Sequence, residues 1–320
     1  MAIEDVHGLS YAGLGSWQRI SIRSRLILRR IKGAWEVFAR NRLALLGVVI
    51  IGVFALMAVS QPILIRTVWP SGVYDPVTGF DFKTMHPSLP SSRHLLGTDS
   101  LGRDVLSRLL AATTPTFVLG LTAALITAII GAAMGAVSAY YGGMVDAVLT
   151  HISDAFLLLP APIFMVIVGV AFKEFGPVRL GAIYGLIAGL GGAAVVLRSY
   201  AQTVVAKPYV DAARIAGGGS GHIIVRHLLP PMIPLTSTIM MLSVTGAVVA
   251  DAFVSFFGFT RLYLNWGTII YTSQAYMGTL GGGIEWHVML PPSIALSLFS
   301  AAFYLIARGL HEVADPKLRR

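Results

Sequence analysis

The chain has 320 residues, of which 55% are hydrophobic and only 12% charged, with a formal net charge of +9, no cysteine and a mean hydropathy of +0.75. So few polar side chains cannot cover a water-facing surface, which places the chain in lipid; the basic residues fall between apolar runs instead of along one face, which excludes a nucleic-acid partner. Disulfides, thiolate catalysis and Cys-ligated metals are excluded, and cysteine usage leaves the redox compartment undefined.

Residues 1–42 form a basic N-terminal tail with eight Lys/Arg. The apolar run behind it is too long for a signal-peptide core and has no small-residue cleavage site, so the leader is expected to be retained. Ile20, Ile22, Ile27 and Ile31 interleave with Arg19, Arg23, Arg25, Arg29, Arg30 and Lys32. That pattern suits a helix lying on an anionic membrane face, and equally a solvated basic tail that fixes topology.

A bilayer core needs roughly 20 apolar residues in helix, and charge-free intervals supply six candidates. They are 43–65, a stretch within 109–145, 155–172 broken by Pro160 and Pro162, the interval between Arg179 and Arg198, 231–257 and 286–307. Between the first two lies a loop, 66–108. The interval 262–284 is uncharged too, but Asn265, Thr268, Gln274 and the Gly281-Gly282-Gly283 run make it a poor lipid-facing helix, and it reads as a loop, re-entrant or otherwise. Gly131-x-x-x-Gly135 and Gly181-x-x-x-Gly185-x-x-x-Gly189 put small residues on one helix face, which permits close helix approach or reflects glycine scattered in membrane helices.

Six spans put both termini on one side. Sixteen of the 24 Lys/Arg sit on that side, in the N-tail, the 198–226 segment and the C-tail, so both termini are expected in the cytoplasm.

The loop 199–230 carries its own organisation. Pro208 and Asp211 suit the first turn of a short helix, and the glycines from Gly217 end it. Ala212, Ala213 and Ala216 give it a face that another protein's surface can approach closely. The glycine break through Gly221 then lets the chain turn, and a second segment with Ile223, Ile224 and Leu228 leads back to the membrane at Pro230. Two short helices with a sharp bend make a peg.

Asp211-Ala-Ala-x-x-x-Gly217, followed by Arg226-His-Leu-Leu-Pro230, resembles the "EAA" loop of ABC importer permeases, with Asp for the usual Glu and Pro231 where peptide-type members usually have Asn. Further strings are similar to the dipeptide/oligopeptide/nickel group. Trp35, Phe38 and Arg40-Asn-Arg-Leu-Ala-Leu-Leu-Gly47 look like its entry to the first helix. His94-Leu-Leu-Gly97-Thr98-Asp99-Ser-Leu-Gly102-Arg103-Asp104-Val-Leu-Ser-Arg108 is similar to its most specific string. Asp146 and Asp154 fit its third-helix pattern, with His151 where Arg is common. Asp251-Ala-Phe-Val-Ser255-Phe-Phe-Gly258 resembles a fifth-helix motif, again with Asp for Glu, and Gly309-Leu-His-Glu-Val-Ala-Asp-Pro-Lys-Leu-Arg319 resembles the C-terminal signature.

The resemblance implies an all-α, polytopic type I ABC importer permease fold, with a permease core over 109–310 and a C-tail over 311–320. It also implies a peg that docks in a groove of an ATP-binding subunit through Asp211, Ala212, Ala213, Gly217, Arg226 and Pro230. The implied partners are a second homologous permease, two ATP-binding subunits that hold ATP and Mg, and an extracytoplasmic solute-binding protein. Membrane lipid surrounds the chain, which needs no cofactor of its own. The implied cargo is a peptide, with oligosaccharide or nickel as alternatives.

Single residues leave alternatives open. Thr98 and Asp99 suit a helix N-cap with Arg103 paired to a neighbouring carboxylate, or Gly97, Thr98, Asp99, Gly102, Arg103 and Asp104 contact the binding protein or shape the pore mouth. Asp251, with Ser255 one turn on, is the carboxylate deep in the fifth span, and faces a cavity or partner unless the helix ends near it. His151 and Asp154 are too few for a metal site and suit a structural hydrogen bond. The Gly217–Gly221 run lacks the Gly-Lys-Ser/Thr of a phosphate loop, and no nucleophile elbow or His-Glu-x-x-His is present, so catalysis is expected to belong to partners. The rival from another class is an ion-coupled carrier working alone through broken helices and buried charge, but the peg gives such a carrier nothing to do.

Overall fold

The computed structural model describes residues 33, 35–171, 176–258, 263–276 and 285–314. The basic tail through residue 32, the glycine run 281–283 and the end of the C-terminal string, 315–320, lie outside them. Regular structure among the described residues is helical, apart from one isolated bridge between Thr98 and Asp104.

Helix α1, Arg42–Thr67, starts where the Asn41 side chain accepts from the Leu43 and Ala44 amides. The Asn41 amide nitrogen also donates to Glu312 Oε2 at 2.8 Å, which ties the first helix to the last. α2, Val105–Tyr141, is 37 residues long, which at about 1.5 Å per residue spans roughly 55 Å. It is the axis of the molecule and packs against α1, α5, α6 and α9.

α3, Gly143–Leu157, and α4, Ala161–Ala171, meet at a 78° bend. The charge-free interval 155–172 therefore captures only the second limb. Asp154 and Asp146 interrupt the first limb, and Asp146 can enter a span because Arg198 neutralises it. α5, Pro177–Ala188, runs through a five-residue π segment, Gly189–Ala193, into α6, Ala194–Val205. The short α7, Pro208–Ile215, precedes α8, Ser220–Ile223, which continues through a π segment, Ile224–Leu228, into α9, Leu229–Phe256. The fifth span thus starts about ten residues earlier than its charge-free interval, because Arg226 and His227 lie on an unbroken helical path.

The loop expected over 262–284 is corrected where it is described: α10, Trp266–Ala275, is a helix with Trp266, Ile269 and Ile270 buried. The polar residues that argued against it are used in its cap, where Asn265 Oδ1 accepts from the Thr268 amide at 2.8 Å. α11, Trp286–Ala314, closes the bundle. Five helices are long and apolar enough to cross a membrane, or six if α3 and α4 form one bent span, among the described residues.

The core joins α1, α2, α9, α10 and α11. Phe54, Trp266 and Phe299 meet there with ring centroids 5.3–5.4 Å apart. Lipid tails are as apolar as leucine, so close packing rather than burial must hold such helices together. The glycine rows supply it. A Cβ on Gly185 would stand 2.6 Å from the Ala123 carbonyl oxygen, and one on Gly131 would stand 2.8 Å from Ala193 Cβ. α5 and α6 therefore lie against the α2 backbone.

Candidate functional sites at the two ends of α2

The peg grows from α6 and returns through α8. Lys207 is extended, and Pro208 opens α7 where its missing N–H has no helical partner to lose. Asp211 lies in the first turn and accepts from Arg214 Nη1 at 3.3 Å, with both side chains exposed. Val204, Val210, Ile223 and Leu228 are buried in a small core beneath the helix. Gly217 ends it at φ +80°, a left-handed conformation that a side chain would strain, and its amide donates to the Arg214 carbonyl at 3.0 Å. Above the core, Ala212, Ala216 and Gly217 are exposed and Ala213 is half-buried. Ile215 is 88% exposed. Arg226 and Pro230 are exposed on the return limb.

Two links lie at the base of the peg, the first from the peg itself and the second between the helices beside it. The Arg214 guanidinium sits 5.1 Å from the centre of the Tyr140 ring, at the last turn of α2. One turn deeper, Arg198 on α6 grips Asp146 on α3 in a bidentate pair at 2.5 Å, and Ser138 on α2 donates to the same carboxylate. The peg therefore touches the last turn of α2, and α2, α3 and α6 are tied together one turn further in. Arg198 was missed as a functional residue, although a cation inside an apolar span always asks for a partner. His151 and Asp154 are exposed on α3. No cluster of three or more metal-ligating side chains exists among the described residues.

At the other end of α2, residues 97–104 form a clip. The N-cap expected at Thr98 and Asp99 falls instead on Asp104, whose Oδ1 accepts from the Ser107 amide at 2.7 Å. The turn through Gly97 and Gly102, both at φ +78°, interposes itself before the helix begins. Thr98 Oγ1 meets His86 Nδ1 at 2.8 Å and accepts from the Ser88 amide, while its carbonyl lies 3.1 Å from His287 Nε2 at the foot of α11. Asp99 accepts from the Leu101 and Arg103 amides, from Arg103 Nη2 at 2.7 Å and from Arg108 Nη1 at 2.5 Å. The expected pairing of Arg103 with a carboxylate is therefore present. Ser100 hydrogen-bonds Glu285, just before α11.

Beneath the clip, fully buried His94 bridges Asp104 Oδ2 at 2.8 Å and Asp81 Oδ2 at 3.1 Å, and Arg93 pairs with Asp81 at 2.6 Å. Burial pushes the Asp104 carboxyl above its ordinary range. Burial also presses on Asp81, but the Lys83 amide, His94 and Arg93 outweigh it and hold that carboxyl below the usual value. His94 and Asp81 are thirteen residues apart and obey no local period, so neither was legible as a pair.

Asp251 is 3% exposed, five residues before the end of α9. It accepts from Tyr263 Oη at 2.7 Å and from Asn265 Nδ2 at 2.9 Å, and the same nitrogen donates to Ser255 Oγ at 2.7 Å. These contacts tie α9 to the cap of α10, so Asp251 faces protein partners supplied by its own chain. Tyr263 and Asn265 went unrecognised because they sit in the interval read as a loop.

This arrangement defines a polytopic helical membrane subunit with an ordered, exposed peg at one end of its axial helix. Residues 128–320 match the family described as the inner membrane component of binding-protein-dependent transport systems, and residues 30–77 match the N-terminal transmembrane domain of oligopeptide transport permease C. The chain belongs to this permease family of ABC importers. It is 31% identical to the dipeptide transport system permease of Bacillus subtilis, over 90% of this chain and 86% of that protein. It is 28% identical to the glutathione transport system permease of Pectobacterium atrosepticum, over 95% and 99%. It is 27% identical to the oligopeptide permease of Bacillus subtilis, over 97% and 96%.

Proposed function

We propose that the chain is one of two permeases in a peptide importer of the cytoplasmic membrane, with both termini and the peg in the cytoplasm. A second, homologous permease completes the path, two ATP-binding subunits carry ATP and Mg and hydrolyse the nucleotide, and an extracytoplasmic binding protein delivers the peptide. The relatives named for dipeptide, oligopeptide and glutathione transport support peptide over nickel or oligosaccharide.

The observation that carries the reading is the peg. An eight-residue helix is too short to persist alone, yet this one has its own core and presents small side chains, one ion pair and Ile215 outward. Seated in a groove of an ATP-binding subunit, α7 would be displaced when nucleotide closes the pair. Arg214–Tyr140 and Arg198–Asp146 would pass that displacement to α2, α3 and α6, which is alternating access in mechanical terms. Asp211, Ala212, Ala213 and Gly217 would form the contact, with Arg226 and Pro230 on the return limb.

The chain has no cysteine, so Ile215→Cys gives a single reactive thiol. In the assembled complex it should crosslink to an ATP-binding subunit, with a yield that changes on ATP binding. A Cys placed at Phe82 on the far end of the axis should not crosslink there, and equal yields at the two positions would refute the docking.

A further inference from the structure

A cavity of about 390 Å³ opens beside the clip, between Arg103 and Arg108 on one side and Tyr263, Tyr271, Ala275 and Tyr276 around α10 on the other. Its size suits a small ligand, and it joins aromatic walls to a few charged groups, as such sites do.

The charges on its wall do not balance. Arg103 and Arg108 share a single carboxylate, that of Asp99, which lies behind them and is itself buried. Arg103 commits Nε and Nη2 to it, and Arg108 commits Nη1, which also donates to Thr272 Oγ1 at 3.3 Å. Arg108 Nε is buried with no hydrogen-bond partner among the described residues. No acidic side chain lines the cavity among the described residues. One positive charge is left over on the wall of the cavity, where Arg108 is itself buried, and such a charge calls for an anion. The amino groups left over, Arg103 Nη1 and Arg108 Nη2, make no hydrogen bond among the described residues and suit a carboxylate, and the tyrosine rings beside them suit an apolar body attached to that carboxylate.

We infer that this cavity is a binding subsite for the C-terminal carboxylate of a short peptide, held by the surplus guanidinium charge of Arg103 and Arg108 while its side chain packs on the tyrosines of α10. The subsite deepens the peptide-importer reading and rests on it for the nature of the ligand. On that reading the cavity opens on the side from which peptide arrives, since it lies at the end of α2 opposite the peg. Its role would be to receive a peptide by its charged terminus as the binding protein lets go.

The test uses the complete complex, with binding measured in nanodiscs free of binding protein by saturation-transfer NMR, which detects weak ligands. The probes are the dipeptide Ala-Phe and its C-terminal amide. Ala275 is exposed on the last turn of α10, so Ala275→Glu can set a carboxylate against the guanidiniums without disturbing the fold, and Ala275→Gln controls for size. Wild type should bind Ala-Phe at least fivefold better than the amide. Ala275→Glu should abolish that preference and Ala275→Gln should keep it. Equal binding of acid and amide by wild type, or matching behaviour of the two variants, overturns the subsite. Uptake of Ala-Phe by wild-type proteoliposomes with binding protein and ATP is scored separately: absent uptake with intact carboxylate preference removes the importer reading and leaves the site, while normal uptake without preference does the reverse.

Discussion

The two ends of α2 are built to opposite rules. At its start, Asp81, His94, Asp99, Asp104 and Arg108 are buried, and each is held by at least two partners, or by Asp99 and Thr272 in the case of Arg108. At its finish the peg shows an exposed ion pair and an exposed isoleucine over a core of four buried side chains. A buried polar network in which most members have two or more partners is costly to rearrange, and so favours one arrangement. A short helix with a small core holds its shape but leaves surface to be covered. On the proposed function the clip is the stator of the molecule and the peg is the part that is pushed.

The comparison can be broken first at the clip. Asp99→Ala leaves two guanidiniums without their shared carboxylate and should cost about 3–5 kcal/mol, seen as loss of folded chain in a thermal unfolding assay in detergent. A change under about 1 kcal/mol would mean that the network is ornamental to stability. Next, Asp146→Ala strips Arg198 of its bidentate partner and should cost about 2 kcal/mol. In a double-mutant cycle with Arg198→Ala the losses should fall well short of additive. Asn265→Ala removes the cap of α10 and a donor to Asp251, and should cost about 1–2 kcal/mol, with faster hydrogen exchange in 266–275 as its signature. Asp211→Asn, at the exposed end, should leave the melting temperature unchanged, within about 0.5 kcal/mol.

How much of this the sequence discloses follows from the range of the forces. Composition and apolar runs place the bundle in lipid, and Pro208, Asp211 and Gly217 spell out the peg because caps and breakers act within a few residues. The Gly185 row could be seen but not interpreted, since only the 2.6 Å approach to Ala123 separates an interface from scattered glycine. α10 was misread because Asn265 and Thr268 look like loop residues until they are seen capping a helix. The charge-free interval for the third span stopped at Asp154 and left out the limb with Asp146, whose partner is 52 residues away. The N-cap assigned to Thr98 and Asp99 failed for a local reason: Asp99 spends its carboxylate on the turn and on two arginines, and Asp104 is the acid left in reach of the first helical amides.

The most direct test of the division between stator and pushed part is ATP hydrolysis by the reconstituted complex, stimulated by peptide-loaded binding protein, with wild-type chain and with Ala212→Trp. The substitution adds bulk to an exposed face of α7 without entering its core. Assembly and melting temperature should be retained while stimulation falls at least tenfold. Stimulation equal to wild type would show that nothing docks on this face and would contradict the coupling role proposed for the peg.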